Sequence, residues 1–136
     1  MTRLPPVPHV SREAEWLSAA ILMAFSLALL TPGSTFSRPV FVNLAHVAPE
    51  GTWGMALLGI VTVRMIGLWV NGNWRRSPIM RAVTNLAGAI VWLWLARLFS
   101  DDGYPGVNTG AFVYAAVGAW NLYAAGRSLA DQGKND

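Results

Sequence analysis

Four side chains in this sequence can do polar chemistry within apolar surroundings: Arg64, Asn85, Asn121 and Glu15. Arg64 interrupts "GTWGMALLGIVTVRMIGLWVNG", residues 51–72, which is otherwise apolar except for small and terminal polar residues. A guanidinium offers five fixed donors and a permanent charge. An asparagine amide both donates and accepts, and a carboxylate is the natural counter-charge. Arg64 lies seven residues before Asn71, or ~10 Å at helical rise. Exposed to lipid, it would cost roughly 2.5–3.5 kcal/mol. Two readings follow. In one, Arg64 joins an inner polar layer with Asn85 and Asn121, and Glu15 supplies the counter-charge. In the other, it snorkels to lipid phosphate and only fixes helix depth.

Helical faces support the first reading without excluding the second. Asn121 shares a side with Gly110, Gly118 and Ala125. Asn85 shares one with Gly88, Ala89 and Ala96, and Arg64 with Ile60 and Gly67. Small residues mark faces where membrane helices approach closely, and polar side chains hydrogen-bond across such faces. Gly67, Gly88, Gly110, Gly118 and Ala125 are therefore the expected packing positions.

Other chemistry is thinly represented. There is no cysteine, so disulfides and thiolate ligands are ruled out. His9 and His46 fall outside the apolar blocks, where neither is placed to ligate a buried haem or activate a serine at membrane depth. No His, Asp and Glu cluster has metal-ligand spacing. Asp101 and Asp102 read as a solvated turn, and "GYPG" as a turn signal. A non-enzymatic protein without cofactor or metal is the expectation.

The elements that position these residues are four apolar blocks: Trp16 to Leu30, Trp53 to Val70, Ala82 to Phe99 and Gly110 to Gly126. Each approaches the length that crosses ~30 Å of hydrocarbon, and the last is the least hydrophobic. Of the 136 residues, 54% are hydrophobic and only 12% charged, against about 25% charged in soluble domains. The blocks also lack the charged outer stripe of a soluble bundle. The expected fold is an all-α integral membrane protein, a single membrane domain with spans near 15–31, 53–71, 80–99 and 108–127. The first block resembles a signal peptide in length, but Glu13, Glu15 and the absence of a small-x-small site favour its retention. Ser11 is the expected cap of the first helix. "NGNWRRSP", from Asn71, and "DDGYPG", from Asp101, are expected turns. "RPVFVNLAHV" predicts a short interfacial helix over 39–47, with an irregular loop as the alternative. Arg97 and Asp101 stand at i and i+4, an ion-pair spacing.

Arginine placement gives the orientation. With the N-terminus inside, the cytoplasmic side holds Arg3, Arg12, Arg75, Arg76, Arg81, Arg127 and Lys134, and the outer loops only Arg38. That is a positive-inside bias, with both termini cytoplasmic in a bacterial inner membrane. Trp16, Trp69 and Trp74 then mark the inner interface, and Trp53 and Tyr104 the outer one. The net charge of +3 has no basic run behind it, so nucleic acid is not an expected partner. The lipid bilayer, other membrane proteins or further copies of the chain are.

In outline the chain resembles the small multidrug resistance transporters, whose activity rests on an acidic residue within the first helix. Here Glu15 precedes the apolar run, and residues 16–30 contain no acid, so the resemblance lacks its working residue. The short chain, the small-residue faces and "NGNWRRSPIMR" also resemble small multi-pass membrane proteins of tailed bacteriophages, some of them holins. That resemblance implies permeabilisation of the inner membrane by lateral oligomerisation. A subunit or accessory protein of a larger membrane complex is the alternative.

Overall fold

A computed structural model describes residues 10–73, 77–100, 103 and 105–132. Five α-helices follow one another: α1 (Val10–Leu30), α2 (Val42–Val47), α3 (Glu50–Asn73), α4 (Pro78–Phe99) and α5 (Thr109–Gln132). Two 3₁₀ turns, Thr35–Ser37 and Pro39–Phe41, lead into α2. No strand occurs among the described residues. Three helices are long and apolar enough to cross a membrane: α1 from Arg12, α3 and α4. α5 matches α3 at 24 residues but is less apolar, since it carries Asn121, Arg127, Ser128 and Asp131.

The four long helices make two close pairs, α1 against α3 and α4 against α5. The pairs meet through α3–α4 and α1–α5 contacts. Local chemistry sets the ends. Ser77 caps α4 from an extended backbone, its Oγ accepting the Met80 N–H at 3.3 Å, and Pro78 follows where its missing donor does not matter. Gly33, at φ +146°, turns the chain after α1 in a conformation that L side chains rarely adopt.

At the end where α1 and α4 finish, the connecting segment folds over the bundle. The Glu50 carboxylate accepts the N–H groups of Thr35 at 3.0 Å and Phe36 at 3.1 Å, tying the first 3₁₀ turn to the start of α3. Trp53 Nε1 donates to the Leu44 carbonyl at 2.9 Å, and Asn43 Nδ2 to the Leu98 carbonyl at 2.9 Å. Leu44 is buried whereas Val42 and Val47 are exposed. The segment expected as one helix over 39–47 is thus helical but changes type at Val42, and it packs into the bundle through Leu44. Beneath it Phe99 meets Phe25, Phe41 and Tyr114 with ring centroids 6.2, 5.2 and 5.1 Å apart.

The helices outrun the apolar blocks because backbone hydrogen bonding continues where polar side chains emerge. α1 begins at Val10, so Ser11 lies within it rather than capping it. α3 continues through Asn71 to Asn73, where a turn was expected, and α5 extends past 127 to Gln132. Arg97 Nη1 donates to Ser100 Oγ at 3.3 Å. The expected partner of Arg97, Asp101, lies outside the described residues, as do Trp74, Arg75, Arg76 and Tyr104.

Candidate functional site

Among the buried polar side chains at the other end of the bundle are Glu15, Ser18, Arg64, Asn85 and Asn121, each at most 3% exposed. Four helices supply them. α1 carries Glu15 and Ser18 three residues apart, hence on one face. α3 carries Arg64 on the buried stripe of Leu57, Val61 and Leu68, and Ile60 points away at 39% exposure. Both residues nevertheless border the cleft between α3 and α4. α4 presents Asn85 and Gly88, and α5 presents Gly118 and Asn121.

Ser18 is the hub. Its Oγ accepts from Arg64 Nη1 at 3.1 Å, Trp92 Nε1 at 3.0 Å and Asn121 Nδ2 at 2.8 Å. A serine hydroxyl has two lone pairs, so these three donors share two acceptor sites and leave none free. Asn121 closes the ring, since its Oδ1 accepts from Arg64 Nη2 and its Nδ2 also reaches the Val117 carbonyl at 2.7 Å. One serine thereby links all four long helices. The Arg64 guanidinium is turned inward to α1 and α5, not along the helix axis toward an aqueous end.

Glu15 has a different partner from the one expected. Arg81 Nη2 lies 2.7 Å from its Oε1, and Arg81 Nε donates to both carboxylate oxygens at 2.8 and 3.1 Å. The bidentate geometry takes up the carboxylate. Among the described residues, the hydrogen-bond partners of Arg64 are neutral. Asn85 is fully buried, yet neither its Nδ2 nor its Oδ1 has a partner, and Arg64 Nε has none either. Asn85 thus shares the depth of the layer without joining its hydrogen bonds.

Glycine decides how closely α4 and α5 approach this layer. A Cβ at Gly88 would lie 2.5 Å from Arg64 Nη1 and 2.8 Å from Asn121 Oδ1. One at Gly118 would lie 2.8 Å from the Leu93 side chain and 3.2 Å from its backbone nitrogen. One at Gly67 would lie 2.9 Å from Thr84 Cγ2, and Ala125 is buried. Gly110 plays another part: its N–H donates to Asn108 Oδ1 at 2.9 Å at the start of α5. Gly54, not singled out in the sequence, lets α3 approach α1, a Cβ there falling 2.7 Å from Leu30.

No protein-family model, curated protein or solved structure matches this chain. The chemistry must therefore be read from the site alone. A cavity of about 210 Å³ opens beside the layer, lined by Arg12, Asn71, Ser77, Arg81, Ser128 and Asp131 among others. It joins the ends of all four long helices. His46 is exposed on α2, and His9 lies outside the described residues. No group of three His, Asp or Glu side chains able to hold a metal occurs among the described residues. What the arrangement supplies is a fixed positive charge, held at depth by neutral hydrogen-bond acceptors.

Proposed function

We propose that this chain is a four-span protein of a bacterial inner membrane, with both termini cytoplasmic, and that it works as a non-enzymatic subunit or accessory protein of a larger membrane assembly. Support for a fourth span comes from α5. It lies closely along α4 and exposes Phe112, Val113, Leu122 and Leu129 at more than half of their surface, a face suited to lipid. α2 and its flanking turns then cover the outer end. The polar cavity near Arg12 and Arg81 faces the cytoplasm, the side that also carries most of the arginines of the sequence.

The observation that carries the accessory reading is the use of the small residues. Gly67, Gly88 and Gly118 approach the chain's own helices, so the positions best suited to lateral self-association are engaged within the molecule. A holin-like protein, which the sequence resembles, needs such faces outward.

Induced expression in a bacterial host distinguishes the two. The accessory reading expects accumulation with the membrane potential intact and stoichiometric co-purification of one partner from native membranes. Abrupt depolarisation at a threshold level of protein would instead favour holin-like permeabilisation. Topology is checked separately. Cytoplasmic reporters should be active at Ser77 and after Asp136, and external ones near Ser37 and Gly103. External activity at Ser77 would overturn the four-span arrangement.

A further inference from the structure

We infer that the polar cavity where α1 and α4 begin binds the headgroup of a phospholipid that carries both a phosphate and a primary ammonium. The inference rests on the four-span placement proposed above, which puts this end at the cytoplasmic interface, and not on the accessory role. The cavity measures about 210 Å³. That is below the roughly 300–1,000 Å³ of sites for drug-sized ligands, and it suits a headgroup whose chains stay outside. Both helix pairs build its walls: Arg12 and Asn71 come from α1 and α3, and Arg81, Ser128 and Asp131 from α4 and α5. A glycine makes room for the arginine. A Cβ at Gly72 would overlap Arg12 Nη2, so glycine there lets the guanidinium lie against α3 beside the cavity.

Charge selects the headgroup. Arg81 is paired with the buried Glu15, and the two are neutral as a unit. Beyond that pair the described wall carries one charge of each sign, Arg12 on α1 and Asp131 on α5. A purely basic pocket selects anionic headgroups. Opposite charges on opposite helix pairs select a zwitterion. Arg12 offers a fork of donors that matches phosphate oxygens. Asn71 adds to that side: its Oδ1 accepts the Ser77 N–H at 2.6 Å, so its amide keeps two N–H donors for the phosphate. The Asp131 carboxylate accepts from a primary ammonium, which brings three N–H donors, whereas a quaternary ammonium brings none. Quaternary ammonium is held by aromatic faces, and no aromatic side chain lines the cavity among the described residues.

Apolar surface beside the cavity selects a lipid over a soluble phosphate compound. Ile79 follows Pro78 on α4 and Leu129 follows Ser128 on α5, and the two are 53% and 55% exposed. Acyl chains that lie on them leave the headgroup at the cavity.

The test uses the full-length protein, freed of lipid in a neutral detergent, and native mass spectrometry. The probes are dioleoyl phosphatidylethanolamine, phosphatidylcholine and phosphatidylglycerol, with free phosphoethanolamine as a competitor. The ethanolamine lipid should bind about ten-fold more tightly than the other two, as a charge-assisted hydrogen bond allows. Arg12→Gln should weaken all three by about the same factor, about ten-fold. Asp131→Asn should lower the ethanolamine lipid to the affinity of the choline lipid and leave the choline lipid unchanged. Asp131 is exposed near the end of α5, so this variant decides the case even where Arg12→Gln unfolds. Equal affinity for the three lipids, tighter binding of the anionic glycerol lipid, or an ethanolamine preference that survives Asp131→Asn would overturn the inference. Free phosphoethanolamine that competes as well as the lipid would overturn the lipid as the source and assign the cavity to a soluble zwitterion. If no lipid binds while a cytoplasmic reporter at Ser77 stays active, the headgroup site is lost and the four-span placement stands. External activity at Ser77 would remove both.

Discussion

Around Ser18 three N–H groups converge, from Arg64, Trp92 and Asn121; around Phe99 three rings converge, from Phe25, Phe41 and Tyr114. Each residue is a hub at one end of the same bundle, and each joins several elements. They differ in what replaces them. Aromatic packing is only weakly directional, and lipid tails are as apolar as a Phe side chain, so the aromatic end gains little that is specific to one ring. At the polar end every donor needs an acceptor at a fixed place, and hydrocarbon offers none. The polar end therefore specifies which helices meet and at what register, and the aromatic end fills the space that remains.

The comparison is broken most severely through the glycine that admits Arg64. Gly88→Leu places a side chain onto the guanidinium and the Asn121 amide. Overpacking of this kind costs ~1–3 kcal/mol before the lost hydrogen bonds are counted, so ~3 kcal/mol or more is expected in detergent unfolding. Gly126→Leu, where a Cβ meets nothing within 4 Å, should change stability little. Equal effects at the two glycines would show that the layer does not set the helix spacing.

Next in size is Ser18→Ala, which leaves three buried donors short of an acceptor. Helix–helix hydrogen bonds in membranes average ~0.6 kcal/mol, so a loss of about 2 kcal/mol is expected. Ser18→Thr keeps the oxygen and should recover most of it. Thermal unfolding of both variants checks this. The smallest effect belongs to the other hub. Phe99→Leu preserves an apolar filler and should cost about 1 kcal/mol, as in other apolar exchanges of similar volume. If Phe99→Leu proved more damaging than Ser18→Ala, the assignment of roles to the two ends would be reversed.

α1, α3 and α4 were legible from hydropathy because a helix that crosses a membrane needs ~20 largely apolar residues in a row, a signal that side-chain detail does not blur. Their ends were less so, since Asn71 and Arg127 look like stops in a hydropathy reading but continue the backbone ladder as helix residues. The depth of Arg64 and Asn121 could be counted from flanking polar residues. The centrality of Ser18 could not. A serine in a membrane helix often bonds its own backbone, as Ser26 does to the Met23 carbonyl at 2.9 Å, and nothing in "WLSAAIL" distinguishes the two behaviours. The partner of Glu15 was missed for a similar reason. Arg81 reads as a loop-flanking positive charge, and only the parallel arrangement of α1 and α4, which start at the same end of the bundle, brings it to the carboxylate.

The central claim is that Arg64 is tied to the bundle by specific partners rather than merely anchored at a depth. A double-mutant cycle on Arg64→Leu and Asn121→Leu, with unfolding free energies measured in mixed micelles, tests it most directly. The account predicts a coupling of about 1 kcal/mol, with the double variant less destabilised than the sum of the singles. Strict additivity of the two changes would contradict it.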